Sequence, residues 1–262
     1  MFDRISIKKM KLFVPLMAMA IYFLIMSVFG VFFHHRIAIG AFFGDLTTIL
    51  IFGYLYSQSK LRHSTTPLFR PQTWFLVLAV GFLGFVWIVS QTAAKGLYEL
   101  GLKAGINHYQ DAMKNDATIY ILTSVFVAPV AEELVFRAFG YVIWRKYFKH
   151  SVAAILVSSL FALFHMTFVH LPIAFCVGLL SALLYEMTGH IRYGILMHFL
   201  YNLFSAGIVF GLSKHNLFLQ PFVMIVYMGI TILILCRMIT KAKAIRQFAE
   251  EPKLIDKLNQ KP

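Results

Sequence analysis

Long apolar stretches, separated by short polar breaks, account for most of this sequence. A helix needs about 20 apolar residues to cross the hydrocarbon core of a bilayer, and eight stretches approach or exceed that length. They cover residues 12–33, 37–56, 73–93, 117–148, 152–169, 173–187, 193–210 and 217–239. The pattern predicts an all-α fold, a polytopic membrane helical bundle of about eight transmembrane helices.

The longest polar interruption, residues 96–116, has a periodicity of its own. Its apolar and aromatic residues recur at helical spacing, which predicts an amphipathic helix at the membrane interface. No change of composition marks off a soluble domain, so residues 1–262 are expected to form one integral membrane domain. Within it, residues 1–116 hold three spans and the interfacial segment, 117–210 hold a core with buried polar groups, and 211–262 hold the last span and a charged cytoplasmic tail.

Composition supports a membrane protein and argues against a nucleic-acid partner. The residues are 60% hydrophobic and 13% charged, with a mean hydropathy of +0.75, whereas soluble domains carry about 25% charged residues. The net charge of +13 comes from basic residues that lie in loops and in the tail rather than on one surface. Of the 24 lysines and arginines, 18 fall on the N-terminal side of an eight-span arrangement and five on the other side. This bias predicts that both termini are cytoplasmic.

Two adjacent carboxylates and one arginine lie inside the fourth apolar stretch, within Pro129–Arg137. Charged groups at membrane depth are costly, and they persist where they pair or take part in chemistry. On a helix, Glu133 and Arg137 are four residues apart, in the favourable order for an ion pair. Glu132 takes no part in that pairing, because it lies about 100° around the helix from Glu133. Glu132 is therefore the candidate catalyst, and a purely structural charge cluster that locks helices together is the alternative.

Three further polar side chains lie in stretches that are otherwise apolar. His165 is in the fifth stretch, and His198 and Asn202 are four residues apart on one face of the seventh. Counted from the predicted cytoplasmic ends, these three and Glu132 fall within a slab about 12 Å thick. Four functional groups at one depth on three helices predict a single polar cavity. For each histidine taken alone, the alternative is a hydrogen-bonded packing residue.

These residue types suit hydrolysis of a peptide bond. A glutamate beside a histidine, in a site of low dielectric constant, can hold a water molecule and remove its proton. A second histidine with an asparagine offers N–H donors to a developing oxyanion. The favoured interpretation is a site without a metal, since the sequence has no H-E-x-x-H helix. Zinc is the alternative cofactor, with Glu132, His165 and His198 as its three protein ligands.

Three motifs in this order resemble those of a known family. They are E-E-x-x-x-R at residues 132–137, F-x-x-x-H at 161–165 and H-x-x-x-N at 198–202, with Y-x-x-T-G at 185–189 before the third. The chain resembles the CAAX-protease and bacteriocin-processing family, also called the Abi group, which includes the type II prenyl-protein endopeptidases. The resemblance covers residues 117–210, less than half of the chain.

The resemblance implies a helical intramembrane endopeptidase whose catalytic core is the segment from 117 to 210. By position, Glu132 and His165 would activate water, and His198 and Asn202 would form the oxyanion hole. The ion pair of the first motif would support them. Family members are often described as metalloproteases, and many bacterial ones are linked to bacteriocin self-immunity or to the processing of peptides that act as signals.

These observations give one leading function and two alternatives. The leading function is a protease of the plasma membrane that cleaves a membrane-embedded or lipid-associated protein or peptide. The first alternative is a non-proteolytic immunity or sensor-binding module that uses the same polar cavity. The second is a transporter with buried charges, which the absence of an internal sequence repeat does not favour.

Four polar residues remain outside this scheme. Asp45, in the second stretch, is expected to hydrogen-bond to a neighbouring span. Glu186 and His190 are four residues apart near a predicted cytoplasmic turn, where a surface pair is expected. His170 precedes a proline-containing break and is expected to be structural.

Overall fold

Six long helices make up most of the described part of the chain, which is a computed structural model. In chain order they are α1 (Phe2–Phe32), α2 (Ile37–Gln58), α3 (Asp116–Trp144), α4 (His150–Phe164), α5 (Leu171–Thr188) and α6 (Arg192–Leu212). No residue in this part of the chain lies in a strand. The predicted all-α fold is confirmed.

The structure describes residues 2–59, 61, 79, 81–84, 86, 89, 116–165 and 170–212. They belong to one compact unit, Met1–His215, and a second unit comprises Asn216–Pro262. The predicted eighth span and the charged tail lie outside the described residues, as do two thirds of the predicted third span and all but the last residue of the predicted interfacial helix. The eight spans, the single-domain organisation and the cytoplasmic position of both termini therefore stay predictions.

The described helices have an apolar exterior and buried charges, as a membrane protein requires. Four of them contain a segment long and apolar enough to cross a bilayer: Leu12–Phe32, Ile37–Gln58, Asp116–Trp144 and Leu171–Thr188. On α1, Leu24 is 63% exposed and Val31 is 76% exposed, whereas Glu133 and Arg137 on α3 are 0% and 1% exposed. In lipid, exposed apolar side chains are favourable and charged groups turn inward. The chain is an integral membrane protein.

The α1–α2 pair is joined to the beginning of α3 by an ion pair. Phe43 of α2 stacks against Phe29 of α1 and against Phe33, which directly follows α1, with ring centroids 6.4 and 5.7 Å apart. Arg36, in the turn between the two helices, donates from Nε to Asp116 Oδ2 at 3.0 Å. Asp116 is the first residue of α3, so this contact aligns the start of α2 with the start of α3.

Helix α3 packs against the other helices and is not uniformly α-helical. Two segments, Thr123–Val127 and Glu133–Tyr141, are π-helical, with hydrogen bonds spanning five residues instead of four. Phe136, fully buried, meets the ring of Tyr22 on α1 edge-on at 6.1 Å and that of Phe161 on α4 at 5.0 Å. These aromatic contacts fix the rotation of α3 relative to its neighbours.

Helix α4 is shorter than predicted. The sequence predicts a span over 152–169, but the helix ends at Phe164, and the four residues after His165 lie outside the description. At this end the backbone N–H of His165 donates to Ala162 O at 3.0 Å, and the ring Nδ1–H donates to Phe161 O at 2.9 Å. These bonds satisfy carbonyl groups that have no later helical N–H as a partner. The backbone N–H and the imidazole of His165 therefore cap the C-terminal end of α4.

A polar cluster joins the C-terminal ends of α3 and α5. Arg145 Nε lies 2.6 Å from Glu186 Oε1, and the Tyr141 hydroxyl donates to the same oxygen at 2.9 Å. The predicted surface pair of Glu186 with His190 is wrong. The reason is that Arg145 and Tyr141 already bind the carboxylate, while His190 donates from Nδ1 to Thr188 O at 2.8 Å.

Candidate functional site

Glu132 and Glu133 lie at the junction of two helix types within α3. Glu132 ends the α-helical segment Ala128–Glu132, and Glu133 begins the π-helical segment Glu133–Tyr141. Short π-helical segments occur frequently at functional sites, because the extra residue in the turn redirects side chains. The Glu133 side chain is 0% exposed and that of Glu132 is 15% exposed. Only Glu132 is therefore within reach of a small molecule.

The predicted contact between Glu133 and Arg137 is formed. Arg137 Nε lies 3.2 Å from Glu133 Oε2, and both side chains are buried. The guanidinium also donates from Nη2 to Val177 O on α5 at 3.4 Å and lies over the Phe161 ring, 4.9 Å from its centroid. A buried arginine needs a counter-charge, which Glu133 supplies from α3, while α5 contributes one carbonyl acceptor and α4 an aromatic ring.

Two small residues enclose the Glu133 carboxylate. The Ser181 hydroxyl on α5 donates to Glu133 Oε1 at 3.0 Å. On α6, a Cβ atom added to Gly194 would lie 2.8 Å from Glu133 Oε2, which is closer than a carbon and an oxygen approach without displacement. Glycine at this position therefore lets α6 come near to the carboxylate.

His198 lies between the two adjacent glutamates. Its Nε2 atom is 3.7 Å from Glu132 Oε2, and its Nδ1 atom is 3.5 Å from Glu133 Oε1. The ring is 4% exposed and meets the Phe161 ring at right angles, with centroids 6.0 Å apart. Glu133 therefore has a second neighbour besides Arg137, and the prediction that it serves only as an ion-pair partner is incomplete.

His165 has a defined tautomer. Its Nδ1 atom lies 2.9 Å from Phe161 O, and because a carbonyl oxygen only accepts, Nδ1 carries the proton. In a neutral ring Nε2 is then the acceptor. The ring packs on Phe161 with centroids 4.8 Å apart, so His165 and His198 share one aromatic neighbour. Among the described residues, no hydrogen bond or ion pair joins His165 directly to Glu132.

Asn202 lies one helical turn beyond His198 and binds α3. Its Nδ2 atom donates to Ser124 O at 2.7 Å. Ser124 is in the π-helical segment Thr123–Val127, where the helical hydrogen-bond pattern changes and a carbonyl group can accept a bond from outside the helix. A carboxamide has two N–H groups, and this bond uses one of them. His198 and Asn202 thus hold α6 against α3 at two neighbouring points.

The zinc alternative would need Glu132, His165 and His198 to converge on one point. Zinc needs three or four donors at about 2.0–2.3 Å around one point. Within the described ranges, no group of three or more His, Cys, Asp or Glu side chains is arranged to hold a metal ion. Glu132 and His198 face each other, and the bond from Nδ1 of His165 to Phe161 O leaves Nε2 of that ring as its available donor atom.

Two other polar residues noted in the sequence have structural partners. Asp45 is 2% exposed and accepts a hydrogen bond at 2.9 Å from the hydroxyl of Tyr22 on α1, so its predicted bond to a neighbouring span is present. His170 directly precedes α5. Burial lowers the pKa of His170 to about 4, which leaves the ring neutral near pH 7.

Sequence reasoning did not single out four contributors: Ser181, Gly194, Ser124 and Tyr22. Three of them act through a hydroxyl, a missing side chain or a backbone oxygen, and these residue types are common in membrane helices for packing reasons alone. Tyr22 resembled any other aromatic residue of the first span. Their roles depend on contacts between distant parts of the chain, which spacing along the sequence does not reveal.

The family comparison covers the segment of the chain that holds these residues. The segment 114–204 matches the family model described as type II CAAX prenyl endopeptidase Rce1-like. Residues 114–204 are an Rce1-like type II CAAX prenyl endopeptidase domain. The domain contains Glu132, His165, His198 and Asn202, whereas α1 and α2 precede it. The comparisons with curated proteins and with solved structures each gave no match.

The Rce1-like match agrees with the resemblance noted in the sequence. The family is one of endopeptidases, which supports a protease, and the apolar helices that carry the domain support one embedded in a membrane. The matched segment spans less than half of the chain.

Proposed function

We propose that the protein is an intramembrane endopeptidase that hydrolyses a peptide bond with an activated water molecule. In this proposal Glu132 and His165 activate the water, and His198 and Asn202 stabilise the oxyanion. The observation that carries it is the position of His198, which faces Glu132 with one ring nitrogen and Glu133 with the other inside an Rce1-like domain. An ion pair that served only to hold the helices together would need Glu133 and Arg137, but not Glu132, whose carboxylate is partly exposed.

Glu132 acts as the proton acceptor. The water oxygen attacks the carbonyl carbon of the scissile bond, and the proton that it loses passes to Glu132. When the tetrahedral intermediate collapses, the C–N bond breaks and the same proton moves from Glu132 to the leaving nitrogen. His165 presents its unprotonated Nε2, which accepts a hydrogen bond from the water and orients it; the bond from Nδ1 to Phe161 O supports this tautomer.

His198 and Asn202 provide the donors for the oxyanion. The Glu133 carboxylate lies 3.5 Å from Nδ1 of His198, and in this proposal both ring nitrogens carry protons, so that His198 is an imidazolium whose Nε2–H is offered to the reacting carbonyl oxygen. Asn202 adds the N–H group that its bond to Ser124 leaves over. Removing one such donor from an oxyanion hole lowers kcat by about 10²–10³-fold.

The mechanism proposed is metal-free. It is supported by the arrangement of side chains, since within the described ranges the histidine and acidic residues do not converge on one point as zinc ligands do. Activity that survives prolonged chelation, with no stoichiometric metal by elemental analysis, is the expected result. Activity lost on chelation and restored by zinc would contradict it.

The proposed substrate is a membrane-embedded or lipid-associated protein or peptide, and no nucleic acid takes part. Its support is the position of the site among membrane-spanning helices and the printed description of the family as prenyl endopeptidases. We place the protein in the plasma membrane. There, the processing of a peptide or a bacteriocin, or self-immunity against one, would be its physiological role.

Reporter cleavage tests this function. Purified protein in detergent should cut a fluorogenic membrane-anchored peptide, offered with and without a C-terminal prenyl group, and Glu132→Gln should lower kcat by at least about 10³-fold. Glu186→Gln is the matched control: it also removes a partly buried carboxylate, but one bound to Arg145 and Tyr141 away from the site. Its kcat should stay near that of the wild type. A folded Glu132→Gln protein with normal turnover would overturn the mechanism.

A further inference from the structure

The packing of α2 on α3 brings Asp45 to the level of Glu132. The rings of Phe52 on α2 and Phe139 on α3 are in contact, with centroids 5.3 Å apart. Asp45 precedes Phe52 by seven residues, and Glu132 precedes Phe139 by seven. If the two helices ran antiparallel, the carboxylates would be about 20 Å apart along the axes, but parallel helices put them at one depth.

The electrostatics agree with the parallel arrangement. Asp45 and Glu132 lie within electrostatic range of each other, and Glu132 is also within range of Tyr22. Asp45 is 2% exposed, so water screens this interaction weakly. The protein therefore holds a second buried carboxylate beside the proposed proton acceptor, and it comes from a helix outside the Rce1-like domain.

Tyr22 fixes the position of Asp45. Its hydroxyl donates to Asp45 Oδ1 at 2.9 Å, and a donor of this kind favours the ionised carboxylate. The Tyr22 ring is itself held, stacked on Phe164 at 5.2 Å and edge-on to Phe136 at 6.1 Å. Phe164 directly precedes His165, so α1, α2 and α4 are joined around the same side of the site.

We propose that Asp45, held by the Tyr22 hydroxyl, is a positioning residue of the hydrolytic site and favours proton transfer from water to Glu132. This inference rests on the proposed function. When Asp45 is ionised it repels the Glu132 carboxylate, and this repulsion disappears when Glu132 takes the proton from the attacking water. The proton then passes on to the leaving nitrogen, so Asp45 itself gains and loses nothing in the cycle.

The other charged groups near the pair are accounted for. On α3, Glu133 and Arg137 neighbour Glu132 and neutralise each other as an ion pair. On α6, His198 faces Glu132 with its Nε2 atom. On α1, Tyr22 is uncharged and acts as a donor. Asp45 is thus the one described carboxylate near Glu132 whose charge has no cationic partner.

Asp45→Asn distinguishes a role of the Asp45 negative charge from a role of its hydrogen bond with Tyr22. Asparagine keeps the size of the side chain and an oxygen that accepts from Tyr22, but it removes the negative charge. We expect kcat for the reporter peptide to fall by roughly 10-fold to 100-fold, with KM unchanged. Thr48→Val is the matched control, because Thr48 is equally buried on α2 and bonds only to Gly44 O of its own helix. A folded Asp45→Asn protein with the kcat of the wild type would overturn the proposal.

A spectroscopic measurement tests the coupling between Asp45 and Glu132 without relying on catalytic activity. The infrared difference between wild type and Glu132→Gln isolates the carboxyl band of Glu132, and that band should shift in the Asp45→Asn background but not in Thr48→Val. If Asp45→Asn does not fold, Tyr22→Phe replaces it: it keeps the carboxylate, removes its donor, and should also shift the band. An unshifted band in these variants refutes the coupling. A shifted band in a protein that cleaves nothing refutes the proposed function instead.

Discussion

At the scale of single residues, the imidazole of His198 has a carboxylate at each ring nitrogen. Glu132 lies 3.7 Å from Nε2 and Glu133 lies 3.5 Å from Nδ1. Glu133 also carries the ion pair with Arg137 and a bond from Ser181, so one side chain both neutralises a buried cation and faces the proposed oxyanion donor. The two adjacent glutamates therefore have different neighbours, and their substitutions should have different consequences.

Glu133→Ala should destabilise the protein. It leaves the guanidinium of Arg137 buried without its counter-charge, which costs about 3–5 kcal/mol for a buried pair. A lower Tm in detergent, or loss of folded protein on expression, is the expected result. A Glu133→Ala protein with the Tm of the wild type would show that the pair is not stabilising.

The double variant Glu133→Ala with Arg137→Met distinguishes the two roles of Glu133. It removes both charges of the ion pair, so most of the lost Tm should return. The kcat should stay low, because Nδ1 of His198 still lacks its carboxylate. If kcat recovered together with Tm, the role of Glu133 would be that of an ion-pair partner alone.

At the scale of helices, the ends and irregularities carry the polar contacts. The π-helical segments of α3 contain Glu133 and the carbonyl group that binds Asn202, and α4 ends at the residue before His165. Apolar periodicity predicted α1, α2, α5 and α6 closely, but it predicted a longer α4 and a uniform α3. A periodic pattern reports burial, whereas a π-helical turn and a helix end depend on contacts with other helices.

Close packing of α6 on α3 at Gly194 gives a prediction at this scale. In Gly194→Ala the new methyl group would lie 2.8 Å from Glu133 Oε2, so α6 or the carboxylate must move. We expect a loss of about 1–3 kcal/mol in stability from overpacking, measured as a lower Tm, together with a lower kcat. Gly53→Ala is the control, since its Cβ would meet only Leu134 Cδ1 at 3.9 Å. Equal stability of the two variants would contradict this packing.

At the scale of the whole molecule, polar groups from all six described helices meet in one region of an apolar bundle. Motif spacing and membrane depth predicted Glu132, His165, His198 and Asn202 as neighbours. They did not predict that Asp45 and Tyr22 would approach from α1 and α2. Depth along a helix can be read from a sequence because each residue adds a fixed rise, but which helices are adjacent cannot.

The central claim for the whole protein is that Glu132 activates water for direct attack on a peptide bond. Single-turnover cleavage of the reporter peptide in water enriched in ¹⁸O, followed by mass spectrometry of both peptide and protein, tests it most directly. The account predicts one ¹⁸O atom in the new C-terminal carboxyl group of the product, none in the Glu132 side chain, and no product with Glu132→Gln. Label in the Glu132 carboxylate, or product formed by Glu132→Gln at the wild-type rate, would contradict it.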